Sequence, residues 1–193
     1  MTLNAFLFKH RGLLLSLPAI TLAYFGRPSA RSVATGLPLA FAGELIRCWA
    51  VGYAGATTRN DVVTAARLVT AGPYAYVRNP LYIGNFVTAA GFALAFTGRN
   101  SRAARSALVC GSLGIMAAIY AAIVPHEERF LRGEFGEAFE RYCERVPRFV
   151  PLRKPAGAGD GEWTGETLVT AESRTFALFG AMLVALIVRS GGA

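Results

Sequence analysis

The chain has 193 residues, 53% of them hydrophobic, and a mean hydropathy of +0.39, too apolar for an ordinary soluble domain and in keeping with one membrane domain spanning residues 1–193. The net charge of +8 forms no run or stripe, so nucleic acid is excluded as a partner and anionic lipid headgroups are favoured. Cys48, Cys110 and Cys143 lack paired or metal-like spacing, which excludes a disulfide framework and a zinc site.

In chain order, apolar segments fall at Leu13 to Phe25, Val33 to Ala56, Leu81 to Thr97, Ser106 to Val124 and Phe176 to Val188. A full span takes about 20 residues, so the second and fourth are the firmest and the first and last are short. Lys9 and Arg11 precede the first in the manner of a signal peptide, but no small-residue cleavage site follows, and it reads as a retained membrane helix. The fold expected is an all-α polytopic membrane bundle of four to five transmembrane helices. With a cytoplasmic N-terminus, segments 1–12, 57–80 and 125–175 carry 13 Lys and Arg against 6 on the opposite side. The positive-inside rule favours that orientation.

Within the second segment, Glu44 and Arg47 lie three residues apart on one helical face. A lone charge there costs about 2.5–3.5 kcal/mol. Two readings stand: an internal ion pair that locks helices together, and the lining of a polar substrate cavity.

Residues 68–84, LVTAGPYAYVRNPLYIG, form a turn, part of a cytoplasmic segment 57–80. Glycine and proline restrict its backbone, so Tyr74, Tyr76, Arg78, Asn79 and Tyr82 are presented in a defined geometry. Arg78 suits bidentate binding of a carboxylate or phosphate; taken alone it equally suits a lipid anchor. The tyrosines read as pocket walls or as interfacial aromatics.

From Pro125, read as a first-turn proline, a charged amphipathic segment runs over 125–151 with Leu131, Phe135, Phe139, Tyr142 and Val146 at helical spacing. Gly133 and Gly136 weaken the helix and are points where it divides, and Glu137 and Arg141 have the spacing of a supporting pair. It is expected at the cytoplasmic face, against the membrane surface or capping the bundle. Glu127 and Glu128 diverge by about 100° on a helix, so one faces the pocket while the other pairs with Arg129, Arg132 or solvent. HEERF places Phe130 where a zinc-protease motif requires its second histidine, which removes the metal reading. Residues 153–167, RKPAGAGDGEWTGET, read as a flexible connecting loop; GAGDG lacks the strand and third glycine of a dinucleotide site.

GPYAYVRNPLYIG before a hydrophobic helix pair, followed by EERFLRGEFGEAFERYCERVPRFVP, resembles the isoprenylcysteine carboxyl methyltransferase and phospholipid methyltransferase superfamily of integral-membrane methyltransferases. The resemblance covers about residues 44–151. It implies S-adenosylmethionine as cofactor, in a pocket built from Gly72, Pro73, Tyr74, Arg78, Pro80, Tyr82, Glu127, Glu128, Tyr142 and Arg148. Asn79 replaces the histidine of the eukaryotic-type pattern, so this position donates and accepts hydrogen bonds but does not titrate near neutral pH. The expected activity is methyl transfer to a lipidic or amphipathic acceptor, with Arg78, Glu127 and Glu128 as the catalytic group, Asn79 among the cofactor contacts, and Glu44, Arg47 and Tyr76 toward the acceptor. The rivals are a membrane NADPH-dependent reductase of the steroid-reductase type, whose RHPNY this chain replaces with RNPLY, and a non-enzymatic helical membrane scaffold. Oligomeric state is left open.

Overall fold

A computed structural model describes residues 3–55, 65–157, 159–166, 168 and 172–191. Ala56 of the second apolar segment, residues 57–64 of the segment read as cytoplasmic, and residues 158 and 167 of the loop lie outside that set. The described residues form seven helices and no strand: α1 (Leu3–Lys9), α2 (Arg11–Phe25), α3 (Ala30–Ala54), α4 (Pro80–Phe96), α5 (Arg102–Phe135), α6 (Glu137–Arg145) and α7 (Ser173–Gly191), with a 3-10 turn at Gly72–Ala75 before α4. Each of the five apolar segments read from the sequence falls on a helix, the second described as far as Ala54 and the third ending at Phe96. Two helices, α5 and α7, are both long and apolar enough to cross a membrane, whereas α2 and α4 are shorter apolar helices. Glu44, Arg47 and several small polar residues dilute the apolarity of α3, although its 25 residues reach about 37 Å.

Helix α3 starts at a capping box in which Ser29 Oγ accepts from the Ser32 amide and Ser32 Oγ accepts from the Ser29 amide, satisfying two groups that a helix start leaves without partners. Ser32 Oγ also donates to the Ala95 carbonyl at 2.8 Å, tying α3 to α4. The two helices pack backbone to backbone: a Cβ at Gly36 or Gly91 would collide with main-chain atoms of the facing helix. Glycine is required by that close approach. Around the seam, Leu22, Phe92, Phe96, Phe179 and Met182 form the core.

The amphipathic segment differs from expectation at its start. Pro125 is inside α5, whose 34 residues continue unbroken to Phe135, so the proline is not in a first turn. It removes one amide donor from the helix ladder, a loss the long helix tolerates. The division falls at Gly136, whose φ of 49° is accessible to glycine at little cost. Helix α6 then buries Phe139 and Tyr142, and with Val146 they pack against Leu68, Leu131 and Phe135. All of these but Leu68 are the apolar positions the periodicity singled out. Arg141 Nη1 and Glu137 Oε2 are 3.2 Å apart.

Candidate functional site

The GPYA turn and the end of α6 hold each other. Gly72 has φ 59°, and its missing side chain admits the Tyr53 ring. Tyr142 Oη donates to the Tyr74 carbonyl at 2.8 Å, and the Arg78 amide donates to the Pro147 carbonyl at 2.9 Å. Burial pushes both phenols well above the ordinary tyrosine range; each also faces the other's charge or that of nearby carboxylates. Both therefore remain neutral hydrogen-bonding groups at physiological pH.

Arg78 is consumed within the protein. Its Nε donates to Glu128 Oε1 at 3.1 Å, and its Nη1 donates to the carbonyls of Val146 at 2.7 Å and Cys143 at 3.3 Å. Glu128 also takes Arg148 Nη2 on Oε2 at 2.5 Å and Arg148 Nε on Oε1 at 3.1 Å. The hydrogen bond and charge of Glu128 hold the Arg148 guanidinium above its ordinary range. Asn79 starts α4 without capping it. Its amide reaches instead for the Arg148 carbonyl at 3.3 Å and Glu128 Oε1 at 3.5 Å. Three residues from two parts of the chain, Arg78 and Asn79 at the turn and Arg148 after α6, thus converge on one buried carboxylate.

Glu127 takes a different partner: Tyr82 Oη donates to Glu127 Oε1 at 2.7 Å. The expected split between the glutamates is corrected here. Both line the same cavity, and the pairing of Glu128 is with Arg78 and Arg148 instead of Arg129, Arg132 or solvent. Arg132 pairs with Glu140 at 2.5 Å.

That cavity encloses about 810 Å³, and Tyr74, Arg78, Asn79, Pro80, Tyr82, Glu127, Glu128 and Tyr142 reach its wall. Gly72 and Pro73 shape the turn without lining it, and Arg148 stands behind Glu128 with its side chain half exposed. Tyr76 lies outside the wall, 42% exposed and with its ring 6.1 Å from that of Trp49. Glu44 and Arg47 are buried, with Arg47 Nε 3.6 Å from Glu44 Oε2; Arg47 lines the large cavity, while Glu44 lines only a smaller neighbour.

Several residues went unread in the sequence. Glu172, 1% exposed, accepts from Arg47 Nη2 at 2.5 Å, which also reaches Thr175 Oγ1 at 3.2 Å. Arg47 Nη1 is bonded to Asn85 Oδ1. The signal was the cost of a buried guanidinium, which demands more than one partner. Asn85 lies three positions past Tyr82 on the same face of α4.

The connecting loop is also more constrained than its composition suggests. The amides of Thr70 and Ala71 donate to the Asp160 carbonyl at 2.9 and 3.2 Å, the Ala156 amide to the Ala75 carbonyl at 3.1 Å, and the Thr164 amide to the Gly52 carbonyl at 2.9 Å. The Trp163 indole covers Gly52. These bonds strap the loop across the turn and the end of α3.

With this geometry in hand, comparison with known proteins places the chain. The phospholipid methyltransferase family model matches residues 32–138, and the chain belongs to that family. It is similar to the cobalt-zinc-cadmium resistance protein CzcN of Cupriavidus metallidurans, 34% identical over 129 residues, 67% of this chain and 51% of that protein. It is also similar to the protein-S-isoprenylcysteine O-methyltransferase of Schizosaccharomyces pombe, 30% identical over 114 residues, 57% of this chain and 45% of that protein. A third relative is protein-S-isoprenylcysteine O-methyltransferase B of Arabidopsis thaliana, 28% identical over 121 residues, 61% of this chain and 58% of that protein. The chain spans about half the length of the curated relatives it matches. No solved structure matches it. The superfamily read from the two-part motif is therefore borne out.

Proposed function

We propose that the protein transfers a methyl group from S-adenosylmethionine to a lipidic or amphipathic acceptor at a membrane. The observation that carries this reading is the convergence on a single cavity of the Arg78–Glu128 and Tyr82–Glu127 pairs. The cavity is of a size that small-molecule sites occupy, about 300–1,000 Å³, and its wall combines aromatic surfaces with a few placed polar groups. The residues fit the cofactor: Tyr74, Tyr82 and Tyr142 supply flat apolar walls, and Glu127, partnered by a phenol, suits ribose hydroxyls or an ammonium. When bound, S-adenosylmethionine supplies a methyl already activated on a sulfonium, so alignment and exclusion of water are what the protein adds.

In this reading Arg78, Glu127 and Glu128 organise cofactor and acceptor. Arg78, paired with Glu128 and bonded to carbonyls at the end of α6, keeps the turn and α5 in register, so the tyrosine walls and Glu127 stay aimed at one point. Gly72, Pro73, Asn79, Pro80 and Arg148 hold that frame. Glu127 orients the bound molecules. With an amine acceptor its carboxylate is placed to take the proton; with a carboxylate acceptor no proton has to move and Glu127 serves in binding. Arg47 marks the inner, acceptor end.

The helices support the membrane setting. Leu13, Leu17 and Ile20 on α2 and Val184, Ile187 and Val188 on α7 are exposed, as lipid-facing positions would be. Four to five of α2, α3, α4, α5 and α7 span the bilayer, with the GPYA turn, amphipathic α6 and the cavity mouth at the cytoplasmic face. Incubating the full chain in lipid nanodiscs with methyl-labelled S-adenosylmethionine and a membrane-lipid extract, then identifying labelled products by mass spectrometry, tests the reading. Absence of any heat of binding for S-adenosylmethionine or S-adenosylhomocysteine in titration calorimetry would sink it.

A further inference from the structure

Beneath the large cavity lies a second one of about 120 Å³ in the centre of the bundle. Helices α2, α3, α4, α5 and α7 all contribute to it. The two cavities share part of their walls: Arg47, Asn85 and Thr175 line both, together with Leu15 and Leu178. Arg47 is bonded to Asn85 and Thr175 there, so a polar collar drawn from three helices stands between the two. Away from the collar the wall is mostly apolar, although Glu44, Thr88, Ser112 and Tyr120 also contribute to it. Leu22, Phe92, Phe179 and Met182, each 9% exposed or less, close it off, with the Phe92 and Phe179 rings edge to face at 5.0 Å.

We propose that this cavity seats the apolar part of the methyl acceptor, and that the acceptor is an amphipath with a short apolar group, of about the bulk of benzene or a branched five-carbon chain. The proposal deepens the methyl-transfer reading and rests on it for the identity of the occupant. Three features argue for it. Shared wall residues put the two cavities side by side, so an acceptor seated in the smaller one holds its polar end among Arg47 and Asn85, facing the larger. The change from polar collar to apolar floor matches an amphipath entering tail first, which removes apolar surface from water without stranding a polar group. The volume sets the length: an apolar cavity of about 150 Å³ takes benzene, and a fifteen-carbon chain is several times larger. Phe92, Phe179 and Met182 are then specificity-determining residues, because a longer chain would have to displace buried, interlocked side chains.

The test is photolabelling of the full chain in nanodiscs with two probes, a diazirine-bearing butyl alcohol and a diazirine-bearing farnesyl alcohol, with modified residues mapped by mass spectrometry. The short probe should label Met116, Phe179 and Met182, and the long probe should not. Ala89→Phe, which fills the seat, should lower the short-probe signal at Met182 by about tenfold or more. Met182→Ala, which enlarges the seat, should admit the long probe and keeps the test alive where the filling variant does not fold. Equal labelling of the seat by both probes, or none by the short probe, overturns the proposal. So does a methylated product from membrane extract carrying an acyl or prenyl chain of fifteen carbons or more. Failure of the methyl-transfer reading shows separately, as absent S-adenosylmethionine binding, and leaves the labelling pattern to decide the seat.

Discussion

Arg78 Nε donates to Glu128 Oε1 at 3.1 Å across 50 residues of sequence, and neither side chain is more than 13% exposed. The same guanidinium holds two carbonyls at the end of α6, so one side chain joins the turn, α5 and the segment after α6. Arg78→Ala leaves Glu128 buried with only the half-exposed Arg148 as a charged partner, and is expected to cost about 3 kcal/mol of stability. Arg78→Lys should recover little, because an ammonium cannot reach the carboxylate and both carbonyls at once. A double-mutant cycle with Glu128→Gln should return a coupling of about 1–3 kcal/mol by denaturant melts. Additive losses would show that the pair does not act as a unit.

Tyr82→Phe removes the one hydroxyl bonded to Glu127 and leaves the 4.5 Å ring contact with Tyr120 in place. Its effect should therefore fall on ligand binding. Weakening of S-adenosylmethionine affinity by about 1.5 kcal/mol, roughly tenfold, is expected by titration calorimetry with little change in melting temperature. An unaltered affinity would remove the phenol–carboxylate pair from the binding site.

Tyr74 and Tyr142 give the protein an alkaline limit. Both phenols are raised in the folded chain, chiefly by burial, so the folded state keeps protons that the unfolded chain loses above pH about 10. Stability from these groups is complete below that pH and falls as pH rises through it. Denaturant melts at stepped pH should show the decline, and Tyr142→Phe should flatten it while costing about 1 kcal/mol at neutral pH through the lost bond to the Tyr74 carbonyl. A stability profile level through pH 11 contradicts this.

Gly52 and Trp163 give a handle on the strap. A Cβ at position 52 would occupy the space of the Trp163 indole, so Gly52→Ala should expel it and strain the adjoining Thr164–Gly52 bond. Limited proteolysis within 157–165 is expected to accelerate several-fold, in line with local opening of a loop that has lost its ties. Unchanged cleavage would mean that the loop is held by its other bonds alone.

Much of this architecture was readable in advance, for reasons that differ by element. The five apolar segments announce themselves because hydropathy is a local property, and the face of Leu131, Phe135, Phe139, Tyr142 and Val146 follows from helical spacing alone. Pro125 misled because a proline signals a helix start only when nothing longer overrides it; here the apolar run before it and the amphipathic run after it form one helix. Tyr82, Glu127, Arg78 and Glu128 could be nominated by type and motif, but their pairing could not, since adjacent glutamates on one helix reach different partners through the fold. Glu172 was invisible: a lone acid in a polar stretch becomes meaningful only beside Arg47, 125 residues away. The loop bonds are made through backbone groups, which composition does not report.

The stretch that defines the family ends at residue 138, while the cavity is completed by residues beyond it. Tyr142 and Arg148 brace the turn and Glu128, Asp160 ties the loop to Thr70, and Glu172 and Thr175 engage Arg47 at the inner end. A family member could therefore keep the matched helices and still differ in what its chamber admits. In this chain the cavity wall is divided between the family-defining stretch and the residues that follow it, so variation after residue 138 reshapes one side of the chamber while the matched helices supply the other.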